Sequence, residues 1–218
     1  MNTLFENGLH IPFLYFIFYL VTDHHLISYS LMMKLFSINY YYNFNEKFKS
    51  LTFIQSQIKP WVRFTDTGYI ASLIYYMYPS FFPIAFNVHF TISIGYWCTM
   101  TFFKITDNDS FDKCSLFYNY FHKLMSYLLH TIPLALLFTD ICTYKNKFDD
   151  FSMYYSILWG ISWIFFILIP WKYFTKDSIY TIFNDNVSIN RKILIIFIMF
   201  SIINLSNNIG EQYCQYLC

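Results

Sequence analysis

The chain has 218 residues, of which 56% are hydrophobic and 24% aromatic. Only 12% are charged, against about 25% in an ordinary soluble domain, which excludes a soluble fold and points to an all-α polytopic membrane bundle. The formal net charge of +1 supplies no basic surface for nucleic acid, and at roughly 20 residues per span plus loops the whole chain reads as one transmembrane domain.

The N-terminus opens without a basic region or a small-residue cleavage site, so the first apolar run, about residues 4–22, reads as a retained span. Asp23, His24 and His25 end it, and the loop expected after it carries Lys34, Lys47 and Lys49. The second expected span, 48–66, is polar but ordered. Thr52, Gln55, Lys59, Arg63 and Asp66 fall at i, i+3, i+7, i+11 and i+14, one stripe of a 3.6-residue helix, while Phe53, Ile54, Ile58, Trp61 and Val62 cover the other faces. In lipid such a stripe turns inward; the plainer reading is an amphipathic helix in the interface, and Pro60 kinks it in either case. Gly68 is expected to open a turn. Pro79 and Pro83 break the apolar run that follows, leaving a third span at about 81–103.

The fourth span, about 124–142, carries His130. An ionisable group inside a membrane helix is costly and faces the bundle interior or a wet cavity, which makes it a functional-site candidate. The bland alternative is a histidine hydrogen-bonded to a neighbouring helix. Pro133 adds a local weakness by removing the donor that the Leu129 carbonyl would use. Spans five and six are expected at about 154–174 and 193–209. Six spans bring 48–66 and 124–142 into the membrane from the same side, with Thr52 roughly 6 Å and His130 roughly 9 Å deep at 1.5 Å per residue. A hydroxyl and an imidazole thus reach similar depth on two helices.

Other chemistry is thin. The five cysteines, Cys98, Cys114, Cys142, Cys214 and Cys218, form no C-x-x-C pair and no prenylation box. There is no Gly-x-Ser-x-Gly elbow and no His-Glu-x-x-His zinc motif. His10, His24, His25, His89 and His122 are scattered, so neither a metal nor a cofactor is expected.

Three short motifs resemble the androgen-induced gene 1 family, which also contains the androgen-dependent TFPI-regulating protein. They are Lys49-Ser50-Leu51-Thr52-Phe53-Ile54, then His130-Thr131 with Asp140 ten residues after His130, and Gly210-Glu211. The resemblance implies a six-helix membrane hydrolase of fatty acid esters of hydroxy fatty acids, with Thr52 as nucleophile and His130 as its partner. Ser126 and Tyr127 stand where the family has Asn-His, and residues 179–182 replace a Trp-x-Tyr-Pro element.

The chemistry is sound on general grounds. A threonine hydroxyl needs an adjacent base to attack an ester, and a desolvated neutral imidazole is one. Asp140 lies about 15 Å along the same helix and does not orient that ring, while Gln55 and Lys59 are the nearer candidates for stabilising an oxyanion. The expected partners are the bilayer and a fatty-acyl ester, and the expected location is integral to the endoplasmic reticulum or plasma membrane. A non-catalytic lipid-binding or scaffold protein and a small transporter are the alternatives. Ten Lys and Arg residues fall on the side of the first, third and fifth loops against Lys145 and Lys147 opposite, which makes that side cytoplasmic and leaves the sequons at Asn108 and Asn186 unmodified.

Overall fold

Prolines and buried polar residues decide where these apolar stretches break into helices. The computed structural model describes residues 8–43, 52–102, 116–144, 148–176, 178–180, 183 and 185–217. Leu4, Lys47, Lys49, Ser50, Leu51, Lys104, Asn108, Lys113, Cys114, Lys145, Lys147 and Cys218 lie outside the described residues, so expectations that fall on them stand as they were. Among the described residues every regular element is helical. Three helices are long and apolar enough to cross a membrane: Tyr120–Ile141, Asp150–Thr175 and Ile189–Tyr216. The protein is therefore an all-α membrane bundle.

A short turn, Ile11–Phe13, leads into α1 (Leu14–Thr22). Asp23 takes the left-handed conformation, φ 48°, which a short polar side chain tolerates, and the chain reverses into α2 (His25–Asn43). This corrects the expected loop after span one. Three of its polar residues are paired inside the bundle: the Lys34 ammonium lies 3.0 Å from Asp66 Oδ1, Ser37 Oγ accepts from Arg63 Nη2 at 2.8 Å, and Ser28 Oγ donates to the His24 carbonyl at 2.7 Å.

The continuous helix expected over 48–66 is also corrected. α3 spans only Phe53–Ile58, a 3-10 turn follows at Lys59–Trp61, and α4 begins at Phe64 and runs to Met77. Pro60 has no N–H to continue the ladder, and Arg63 turns extended at φ −72°, ψ 151°. Asp66 then closes the new helix start by accepting from the Arg63 backbone N–H at 3.1 Å. The polar stripe is thereby split, with Thr52 and Gln55 capping α3 while Arg63 and Asp66 enter the interior. Gly68 sits inside α4 and opens no turn. A Cβ there would lie 2.6 Å from Ile92 Cδ1 and 3.0 Å from His89 Cε1, so its missing side chain lets α4 approach the next helix.

That helix, α5 (Phe82–Phe102), follows the break at Tyr78 and Pro79. It is the hub, packed against α4, α6, α7 and α9, and residues 82–93 are all buried. α6 (Leu116–Tyr144) begins eight residues before the expected span, because Phe121 and His122 pack their rings on Phe36 of α2. α7 (Asp150–Trp163) passes through a π turn at Ile164–Leu168 into α8 (Ile169–Thr175). Pro170 explains the π turn: it lacks a donor and crowds the preceding turn, so Ile169 N–H reaches back to the Ile164 carbonyl, one residue beyond α-helical register. α9 (Ile189–Leu217) closes the bundle.

Between helices in lipid the hydrophobic drive is weak, and packing and hydrogen bonds hold the bundle together. Asn87 of α5 donates to Ser156 Oγ of α7 and to Asn207 Oδ1 of α9, each at 3.0 Å, and accepts from the Ser206 hydroxyl. Outward-facing Phe165, Phe166 and Phe197 remain exposed, the pattern of lipid-contacting surface. α2 also moves the N-terminus. Leu26 packs with Tyr75 while Ser37 meets Arg63, so α2 runs antiparallel to α4. The extra helix puts the first and last described residues at opposite ends of the bundle, where six alternating spans would have put them together.

Candidate functional site

At the end of the bundle where α4 begins, four helices and one loop bring polar groups together. α6 contributes Ser126 and His130, one helical turn apart on one face. The His130 Nδ1 lies 2.7 Å from the Ser126 carbonyl. A carbonyl only accepts, so Nδ1 carries the proton and Nε2 is left bare. The ring is held flat against Tyr96 of α5, with centroids 3.7 Å apart and planes 6° from parallel, and Tyr96 in turn hydrogen-bonds Ser126 through the two hydroxyls at 3.1 Å. Tautomer and ring plane are thus both set by the protein.

The bare Nε2 faces the Thr65 hydroxyl of α4 at 3.5 Å. Since Nε2 only accepts, Thr65 donates, and the contact sits at the outer limit of hydrogen bonding. Catalytic hydrogen bonds are often this long before substrate binds. On the far side of Thr65 stands Tyr180, from the loop after α8. Its phenol oxygen accepts from the Phe64 N–H at 3.0 Å. The first amides of a helix have no intrahelical acceptor, and Tyr180 supplies one. The donors run in one direction, from the Thr65 hydroxyl to His130 and from His130 to the Ser126 carbonyl. Thr65 is buried, whereas His130 and Tyr180 are partly buried.

No family model matches this chain, and no curated protein or solved structure is similar to it.

Beside the chain lies a charged cluster. Asp66 is fully buried and bridges Lys34 at 3.0 Å and Arg63 Nε at 3.3 Å. The Lys34 ammonium also donates to the Pro60 carbonyl and sits 3.9 Å above the Trp61 ring. Two cations against one carboxylate leave the Lys34–Asp66–Arg63 cluster with one net positive charge.

The structure brings His130 to Thr65, and no described hydrogen bond links it to Thr52. The Thr52 hydroxyl is exposed and accepts the Gln55 N–H at 3.3 Å, while the Gln55 side chain accepts the Thr52 N–H at 2.9 Å, a reciprocal helix cap. That bond occupies Gln55, and Lys59 is buried with its ammonium 5.4 Å from the Trp171 ring. Asp140 lies toward the opposite end, accepting from the Tyr75 hydroxyl at 3.3 Å. Glu211 is exposed, and Gly210 leaves no room for a Cβ against the Phe148 ring. A groove of about 310 Å³ opens between the first turn and α2, lined by His10, Ile11, Leu14, Leu35, Ile38 and Asn39, and touches neither Thr52 nor His130.

Sequence reasoning missed Thr65, Tyr96 and the role of Ser126 and Tyr180. One signal for Thr65 was available. Pro60 followed by Arg63-x-x-Asp66 marks a helix restart, and a restart there faces Thr65 inward with Asp66.

Proposed function

We propose that this chain is a multi-pass membrane hydrolase of lipid esters in which the Thr65 hydroxyl is the nucleophile and His130 its base. The one observation that supports this best is the fixed tautomer of His130, which presents a bare Nε2 to a hydroxyl on another helix. In the reaction the Thr65 oxygen bonds to the ester carbonyl carbon as Nε2 takes its proton. Collapse of the tetrahedral intermediate breaks the bond to the alkoxy oxygen, and the His130 imidazolium returns the proton to that leaving group. Water then attacks the acyl-threonine with the same proton shuttle, releasing the carboxylic acid and restoring Thr65.

The substrate class comes from the resemblance to the androgen-induced gene 1 family, which implies a fatty acid ester of a hydroxy fatty acid. A substrate dissolved in the bilayer suits a site whose histidine is half-buried among membrane helices. The same resemblance implies Thr52 as the nucleophile, and that assignment stands as the rival for this position. A non-catalytic lipid-binding role is favoured by one observation, the 3.5 Å Thr65–His130 separation. For a transporter, the stripe of Lys59, Arg63 and Asp66 would have to line a path, and its Arg63 and Asp66 are paired with each other.

The test uses the full chain in detergent or nanodiscs, with a fluorophosphonate probe and a long-chain ester of a hydroxy fatty acid. Wild type is expected to label and hydrolyse, Thr65→Ala and His130→Ala to do neither, and Thr52→Ala to keep both. Loss in Thr52→Ala with retention in Thr65→Ala moves the nucleophile to Thr52. Undiminished hydrolysis in His130→Ala ends the reading.

A further inference from the structure

From the stacking of Tyr96 on His130 we infer that Tyr96 is a positioning residue of the hydrolase, whose ring face takes the part a carboxylate plays in a triad. It holds the imidazole flat and stabilises the imidazolium that forms when Nε2 takes the Thr65 proton. The inference rests on the hydrolase reading above and deepens it. Proton transfer leaves a cation on His130, with the second proton still on Nδ1 and donated to the Ser126 carbonyl at 2.7 Å. In a triad a carboxylate answers that charge. Among the described residues no carboxylate is bonded to this ring. Asp140 lies toward the opposite end, accepting from the Tyr75 hydroxyl at 3.3 Å. Asp66 is spent on Lys34 and Arg63, a cluster whose net positive charge opposes a further cation.

The stack has the geometry of a cation on an aromatic face. Two neutral rings each present a negative π surface, so they prefer offset or edge-on contact with centroids about 4.5–7 Å apart. Tyr96 and His130 are 3.7 Å apart with planes 6° from parallel, whereas Tyr19 and His25, also nearly parallel, stand at 4.5 Å. Once the imidazole is charged the same overlap becomes attractive, because a cation within about 6 Å of a ring centroid is drawn to that face, most strongly where water is excluded. The contact is therefore better in the transition state than in the resting pair, which is the difference that raises a rate. Ser126 fixes both rings at once. Its hydroxyl meets the Tyr96 hydroxyl at 3.1 Å while its carbonyl takes the Nδ1 proton.

No atom of Tyr96 is transferred. The Thr65 O–H bond breaks as its oxygen bonds to the ester carbon, and the proton joins Nε2. The Tyr96 face meets the resulting charge until that proton passes to the leaving alkoxy oxygen.

The experiment compares wild type, His130→Ala, Tyr96→Phe and chains carrying difluorophenylalanine or pentafluorophenylalanine at position 96, all with the hydroxy fatty acid ester as substrate. Fluorine withdraws charge from the ring face with little change of shape. Tyr96→Phe keeps the face and is expected to hold kcat within about 10-fold of wild type, the scale of one lost hydrogen bond. The pentafluoro ring is expected to lower kcat by about 10-fold or more below Tyr96→Phe, the scale of a desolvated cation–π contact, with the difluoro ring between them. KM should stay nearly unchanged, because the contact strengthens only as charge develops, and so should the melting temperature. A tyrosine that merely packs would not grade the rate with fluorine content. Should Tyr96→Phe not fold, difluorotyrosine at the same place makes the comparison with wild type, read slightly below neutrality so that its phenol keeps its proton, and an equal kcat overturns the role. Activity that His130→Ala abolishes, together with a kcat that is flat across the fluorinated series or falls only with the melting temperature, overturns the role of Tyr96 and leaves the hydrolase reading standing. A loss in Tyr96→Phe as large as in His130→Ala assigns the effect to the hydroxyl and overturns the role of the face. A wild-type chain that hydrolyses no ester overturns both readings.

Discussion

Among the described residues two serine or threonine hydroxyls meet an imidazole, and the pair proposed as catalytic is the longer of the two. Ser72 of α4 and His89 of α5 are 2.8 Å apart, closer than Thr65 and His130 at 3.5 Å. Yet Ser72 is fully buried and His89 nearly so, the Ser72 hydroxyl also donates to the Gly68 carbonyl at 3.1 Å, and Gly68 brings the two helices so close that a Cβ would strike the imidazole. Nothing the size of an ester reaches that pair. It satisfies two polar groups at a crowded helix crossing, as buried polar groups generally must be satisfied. Thr65–His130 is looser, but His130 is only partly buried and its tautomer is fixed by a carbonyl. Under the proposed function, exposure and tautomer rather than bond length separate the two pairs.

The comparison is broken most decisively by activity. Thr65→Ala and His130→Ala are expected to lower ester hydrolysis by more than about 10³-fold, the scale of losing a nucleophile or its base, while melting temperature in detergent stays close to wild type. Ser72→Ala and His89→Ala should do the reverse, keeping turnover and lowering the melting temperature. Hydrolysis lost in the Ser72 variant and kept in the Thr65 variant would exchange the roles of the two pairs.

Next in size is the charged cluster beside Thr65. Asp66→Asn leaves the Lys34 and Arg63 cations without their buried counter-ion, and breaking a buried pair costs about 3–5 kcal/mol. Denaturation in mixed micelles should show this, and a stability within about 0.5 kcal/mol of wild type would mean the cluster is solvated. Gly68→Ala probes the sealed pair from outside. Its Cβ meets Ile92 and His89, and overpacking of this kind costs about 1–3 kcal/mol. The expected outcome is lower thermal stability with unchanged kcat, since Thr65–His130 packs elsewhere. A kcat that falls together with stability would couple the two pairs through α4.

The smallest expected effect is at the start of α7. Two hydrogen bonds from Ser152, the backbone N–H at 2.7 Å and the hydroxyl at 2.6 Å, hold the exposed Asp149 carboxyl below its usual pKa. A group depressed in the folded state stabilises it above the unfolded pKa of about 3.9, and that contribution is lost as pH falls through the lower folded value. Between neutral pH and acid, Asp149→Ala should lose slightly less stability than wild type. Identical slopes would show that the cap contributes nothing.

The membrane-helical class, the break at Pro79 and the oddity of His130 could all be read from the residues themselves, since each follows from local hydropathy or from proline's missing donor, whereas Pro83 falls in the first turn of α5 and breaks nothing. The second helix was hidden. Lys34 read as part of a loop, and the pairing of Lys34 with Asp66 and of Ser37 with Arg63 makes a helix there tolerable in the interior. Thr52 looked active because an unbroken 48–66 helix would have carried it inward. Pro60 was seen as a kink, but how far the chain would unwind depended on the Arg63–Asp66 cap, a contact that the stripe pattern itself treats as helical.

Composition and proline placement thus determined, by themselves, that this chain folds as helices in lipid and that a histidine lies inside one of them. Tertiary structure alone decided which hydroxyl that histidine meets. Helix periodicity sets the face a residue occupies on its own helix, but which faces meet depends on where α4 restarts, on how closely Gly68 lets it approach α5, and on a tyrosine arriving from a loop 115 residues further along the chain than Thr65.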